Sequence, residues 1–146
     1  MADCVSFVCD FELPPMGIPD GAERITPEML PLVSISQVQL DALVAQVPGG
    51  AANVQDIYPL APLQEGMLFH HLTGGDGDVY LLRVVMRFNG EAGLQRYLDA
   101  LRRSLRRHDV LRTALYWEGL DEPVQLVQRE AELPVLTLDA ADLGVD

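Results

Sequence analysis

Lysine is absent from these 146 residues, so all ten basic side chains are arginine, set against 22 acidic ones for a formal net charge of -12. A surface this anionic argues against a nucleic-acid or anionic-lipid partner. Cysteine is scarce. Cys4 and Cys9 are the only two, and no second pair completes a tetrahedral zinc site, which reads as a reduced, cytoplasmic protein. Long apolar runs are missing as well. The longest stretch, VYLLRVVMRF, is cut by Arg83 and Arg87, and nothing approaches the roughly 20 apolar residues that a bilayer span needs. The opening MADCVSFVCDF lacks the basic flank of a secretory signal.

What is present divides the chain into three parts. Residues 1–33 hold half of the ten prolines and little periodicity, as in FELPPMGIPDGAERITPEMLPLV. They read as an extended, surface-hugging linker. In residues 34–50 the pattern changes. Ser36 and Gln39 stand at capping-box spacing, Leu40, Leu43, Val44 and Val47 share a helical face, and Pro48-Gly49-Gly50 ends the run. Residues 51–146 form the main domain. Pro62 suits the first turn of a helix to about Thr73. From Tyr80 the even positions Leu82, Val84, Met86 and Phe88 are apolar, the period of a strand packed on one face. After Asn89-Gly90, Leu94, Leu98, Leu101 and Leu105 fall within about 60° on a helix ending near Asp109. VLRTALYW and VQLVQR, joined by EGLDEP, predict a hairpin, and LPVLTLD a further strand. The fold class expected is α+β, a sheet with helices packed on one side.

Three groups of side chains invite chemistry. His70 and His71 are adjacent, so on a helix they point about 100° apart, His70 toward Leu63 and Met67 and His71 toward Gln64. That spacing does not chelate one metal, and it leaves two readings: one ring packed and the other hydrogen-bonded at a helix end, or an acid/base pair tuned by a nearby aspartate. The following TGGDGD lacks the Lys-Ser/Thr of a phosphate loop and reads as a turn. Half of the arginines, Arg96, Arg102, Arg103, Arg106 and Arg107, crowd the long helix. They read as a solvated face suited to the helix dipole, or as an anion patch for the phosphate of a carrier-bound or nucleotide-bearing substrate. His108 falls back toward the leucine stripe, the place of a packed histidine.

Two ordered segments carry a resemblance. IYPLAPLQEGMLFHHL, residues 57–72, is similar to the opening motif of nonribosomal peptide synthetase condensation domains, and RRHDVLRTAL, residues 106–115, to their second motif, RHExLRTxF. Asp109 stands where that motif has Glu, and Ala114-Leu115 where it ends in Phe. ITPEMLPLV and VPGGAANVQD resemble the linker that precedes such domains. The run His70 to Asp78 fits HH[IL]xxxxGD, a motif of the subtype that both epimerises and condenses. The resemblance therefore implies His70, His71 and Asp78 as site residues for α-proton exchange on an aminoacyl or peptidyl thioester, ahead of amide formation. The family's central HHxxxDG motif is absent, and HHLTGGDG does not replace it, because four residues rather than three separate its histidines from Asp76.

The resemblance implies the linker and the first part of a chloramphenicol-acetyltransferase-like lobe, with no complete turnover of its own. No cofactor is expected on the chain itself. The 4'-phosphopantetheine arms of peptidyl carrier domains, together with adjacent synthetase domains, are the implied partners. Arg112 and His108 are then expected to bond to parts of the domain outside this sequence, and strands without partners to leave apolar faces exposed. Two alternatives stand beside it: a non-catalytic docking piece for carrier or synthetase domains, and a stand-alone thioester-dependent acyltransferase using His71 as base.

Overall fold

The computed structural model describes residues 17–74 and 80–138. The main elements are α1 (Gln37–Val44), β1 (Val54–Pro59), α2 (Pro62–Thr73), α3 (Glu91–Arg107), β2 (Thr113–Tyr116) and β3 (Val124–Gln128). Short 3-10 turns occupy Pro27–Met29, Gly50–Asn53 and Asp109–Arg112. The α+β class holds: the described residues form a three-stranded antiparallel sheet of order β1-β3-β2 with three α-helices.

Local chemistry explains the helix ends. Ser36 Oγ accepts from the Gln39 N–H at 3.3 Å while Gln39 Oε1 accepts from the Ser36 N–H at 3.1 Å, the reciprocal capping box expected from the sequence. The chain then turns through Gly49 at φ 85°, where a Cβ would also lie 3.1 Å from that of Asn53, so only glycine fits. Pro62 opens α2, and Gln64 Oε1 closes its first turn by accepting from the Ala61 N–H at 2.8 Å.

The strand Val54–Pro59 has no counterpart in the sequence reading, which places VPGGAANVQD within the linker-like run. Its pattern is disguised by a bulge. Val54 pairs with Gln128 but Asp56 with Val127, so Gln55 is an extra residue. In a strand of the same length without this bulge, Val54 and Ile57, three apart, would face opposite sides of the sheet. With it both turn inward, 0% and 1% exposed, and the period-two signature is lost.

One face of the sheet, carrying Val54, Ile57, Val124 and Leu126, packs with Leu40 and Leu43 of α1 and with Ile18, Ile25, Leu30 and Val47. Residues 17–33 thus place three side chains inside the core. Gln125, one residue on from Val124 and so on the opposite face, is held by Gln64 of α2 at 3.0 Å. The expectation of helices on one side therefore needs correction: α1 and α2 reach opposite faces.

Two further expectations fail. Residues 80–88 form no strand, and Leu81, Leu82, Val84 and Val85 are 72%, 84%, 63% and 90% exposed. Both parities lie open, so alternation here supplies a face without a partner ladder, and a strand needs both. Residues 133–138 likewise pair with no strand among the described residues, leaving Leu136 and Leu138 exposed. The leucine stripe of α3 is only partly covered: no residue of α3 is buried, and Phe88 lies against Tyr97 with ring centroids 5.3 Å apart.

Candidate functional site

The last turn of α2 carries the histidine pair, as the sequence predicts. The helix stops because Gly74 leaves helical geometry at ψ 139°, its N–H still donating to His70 O at 2.8 Å. Thr73 Oγ1 donates to Phe69 O at 2.8 Å. Both histidines are exposed, against the expectation that one of them packs. The 100° step between neighbours sends them to different surroundings. The His70 ring lies 6.0 Å from Phe69 and 6.2 Å from Tyr80, and the His71 ring meets Trp117 edge-on at 6.4 Å. Trp117, just past β2, is a neighbour that sequence reasoning missed. Its only signal was being the sole tryptophan. Asp78, the third candidate, lies outside the described residues.

Neither imidazole lines either of two clefts found among the described residues. A cleft of 460 Å³ is bounded by Gly17, Asp20, Asp56, Tyr58 and Arg129 among others, and a groove of 1140 Å³ runs beside α3 past Arg102, Leu105 and Arg106. Both lie away from the pair. Among the described residues no group of three or more His, Cys, Asp or Glu side chains is placed to hold a metal ion, and no helix is long and apolar enough to cross a membrane. The α3 arginines are mostly exposed, with Arg102 bonded to Asp99 at 2.9 Å.

The second motif is built around Arg112, which is 7% exposed. Its Nε donates to Leu105 O at 2.9 Å, and its Nη1 to Arg129 O at 2.9 Å, to Gln55 Oε1 at 3.1 Å and to Gln128 O. Nη2 donates to Asp109 Oδ1, while Gln55 Nε2 donates to Asp109 Oδ2 at 3.0 Å. One guanidinium therefore joins α3, the turn after it, the bulge of β1 and the end of β3. The expectation that Arg112 bonds to parts of the domain outside this sequence is overturned, since this chain supplies five acceptors. His108 is likewise not packed: it is exposed at the α3 terminus, its N–H donating to Ser104 O at 3.0 Å. The residue before it is the last helical one, so the 3.6-residue spacing that pointed it toward the leucines ends there.

Beside this hub, the Tyr58 hydroxyl donates to Asp56 Oδ2 at 2.6 Å. That bond, with partial burial and the negative charges of Asp56 and Asp109 adding to it, pushes the phenol up to about 12.

The family model named Condensation domain matches residues 54–145, more than half of the chain. The chain belongs to the condensation-domain family. Among curated proteins it is similar to malpinin synthetase of Mortierella alpina, 53% identical over 132 residues, and to malpibaldin synthetase of the same organism, 48% over 123 residues. A linear gramicidin synthase polypeptide of Brevibacillus parabrevis is 34% identical over 130 residues. These alignments cover 89%, 84% and 89% of this chain and 2% of each relative. The condensation-domain match takes in both histidines and the Arg112 hub. It begins at Val54, the first residue of the strand that sequence reading missed.

Proposed function

We propose that the chain is the N-terminal part of a dual epimerisation and condensation domain of a nonribosomal peptide synthetase. In the intact domain a carrier-bound aminoacyl or peptidyl thioester, presented on a 4'-phosphopantetheine arm, is inverted at its α-carbon and then joined to an amine. The fold is read as part of a chloramphenicol-acetyltransferase-like lobe. The observation that carries the subtype is the run His70-His71-Leu72 to Gly77-Asp78, which fits HH[IL]xxxxGD at the end of α2. Its imidazoles supply a base for removal of an α-proton, with Asp78 as the acidic partner.

The chain alone is not expected to turn over. Proton exchange competes with bulk water unless the site is closed, and both imidazoles lie open here. The exposed side chains of Leu63, Phe69, Leu72, Leu82 and Val85 offer apolar surface for the remainder of such a domain.

The test is made in the intact synthetase. Alanine at His70 or His71 is expected to change the ratio of epimers in the product while amide formation continues. Loss of both activities together would favour a scaffolding role, and loss of neither would remove the epimerisation reading. The chain by itself, given acylated pantetheine and an amine, is expected to give no amide. Product that a His71→Ala variant fails to make would restore the stand-alone acyltransferase.

The same exposed apolar surface favours a second reading, a non-catalytic docking piece for carrier or synthetase domains. In that case the histidine variants change binding of a purified carrier domain and leave epimer ratios untouched.

A further inference from the structure

Residues 17–53 precede the stretch that the condensation-domain model matches, yet they contribute six of the ten buried side chains in the main core. Ile18, Ile25, Leu30, Leu40, Leu43 and Val47 come from this segment, whereas only Val54, Ile57, Val124 and Leu126 come from the matched domain. Burial is complete on both sides of that divide, Leu40 and Leu126 each being 0% exposed.

Directional bonds fix the segment at three places. At its start, Arg129 donates to the Asp20 carboxylate and, at 2.6 Å, to Ile18 O. Gly17, at φ 87°, passes so close that an added Cβ would lie 3.4 Å from Asp56 Oδ2. At α1, Gln39 Nε2 donates to Asp121 Oδ2 at 3.2 Å and to Gly119 O at 3.3 Å, in the turn between β2 and β3. At its end, Asn53 Nδ2 donates to Glu130 O at 3.0 Å while Glu130 N–H donates to Asn53 Oδ1 at 2.9 Å.

We propose that residues 17–53 are a constitutive clip, folded over one face of the sheet as part of the same cooperative unit, so that the folded unit takes in Gly17 and does not begin at Val54. A free tether of the 37 residues from Gly17 to Val54 (54 minus 17) would add up to about 120 Å of reach. The clip removes that reach. Under the synthetase reading, it restricts how far a preceding carrier or synthetase domain ranges; the clip itself does not depend on that reading. The clip also meets the second motif, because Arg129 accepts from Arg112 through its carbonyl while its own side chain holds Asp20 and Ile18.

Hydrogen exchange on the whole chain tests this. The amides of Leu40 and Leu43 in the clip and of Leu126 in β3 are expected to show protection equal within about threefold, with the same urea dependence. An Ile25→Val variant is expected to lower protection at Leu43 and Leu126 by the same factor, about three- to tenfold. Protection at Leu126 that exceeds that at Leu40 and Leu43 by about a hundredfold, or a loss in the variant confined to the clip, would overturn the proposal. So would a uniform lack of protection, since a clip that completes a core must leave both sides protected. None of these outcomes bears on epimerisation, which turns on His70 and His71.

Discussion

The Arg112 guanidinium and the Asp109 carboxylate, three residues apart, are bonded to each other and share Gln55 as a second partner, its amide oxygen serving the arginine and its amide nitrogen the aspartate. The side chain of Arg112 is 7% exposed and that of Asp109 56%, so the charge at risk is the arginine's. Arg112→Ala is expected to lower unfolding free energy by about 3 kcal/mol, because Asp109 can turn to water but the carbonyls of Leu105, Gln128 and Arg129 lose their donor. Arg112→Lys should recover little, as three tetrahedral donors do not match acceptors arranged for a planar fork. Asp109→Asn, at the exposed side, should lose about 1 kcal/mol. Urea unfolding of the three variants checks the order.

The bulge at Gln55 separates two effects that a single substitution mixes. Gln55→Ala keeps the backbone register and is expected to lose about 1 kcal/mol through the two side-chain bonds. Deleting Gln55 leaves Val54 and Ile57 two apart in unbroken register with Gln128 and Leu126, so both should stay turned inward and the loss should stay near that of the alanine variant. A deletion about 2 kcal/mol more harmful than the alanine variant, the burial of a valine, would show that Gln55 is not the extra residue.

Tyr58 gives a pH signature. With its folded pKa pushed up to about 12, above the ordinary tyrosine value of about 10, its bond to Asp56 stabilises fully below pH 10 and fades as the pH climbs from 10 through 12. Ultraviolet titration of the four tyrosines should show one late step that Tyr58→Phe removes. Asp56→Asn should bring the step down, since the largest cause is the hydrogen bond to that carboxylate. Tyr116, raised by burial alone, should keep its position in both variants.

Leu82 and Val85, 84% and 90% exposed, contribute little to the fold as it stands. Serine at both positions is expected to reduce self-association of the isolated chain on size-exclusion chromatography, with the urea midpoint changed by less than about 0.5 kcal/mol equivalent. A large loss of stability would mean that residues 80–88 are packed.

Trp117 and His71 form a contact that a spectrum can see. The indole edge at 6.4 Å should displace the imidazole ring protons, and Trp117→Leu should return them toward the position of an ordinary exposed histidine, leaving His70 beside Tyr80 unchanged. No movement of the His71 signal would remove Trp117 from the site.

How much of this was legible depended on whether a segment's signal was local. The α1 capping box, Pro62 at the start of α2, the leucine spacing of α3 and the EGLDEP turn are written within a few residues of where they act, and each is found in the structure. The strand at Val54–Pro59 was hidden because the bulge breaks its alternation, and residues 80–88 misled because alternation states that a face exists without saying what covers it. At the candidate site, the histidine pair and its divergence followed from helical geometry. Trp117 did not, since it comes from a loop 46 positions beyond His71 (117 minus 71). Arg112 was legible as part of a motif, but its acceptors are mostly backbone carbonyls, which no sequence pattern displays.

The strand order β1-β3-β2 sets a timetable for biosynthesis. Of the three strands among the described residues, the last to leave the ribosome is the middle one, so Val54–Pro59 and Thr113–Tyr116 both lack their β3 partner until Gln128 has emerged. Until then a nascent chain carries Ile57 and its neighbours uncovered, dependent on translation speed and chaperones for protection.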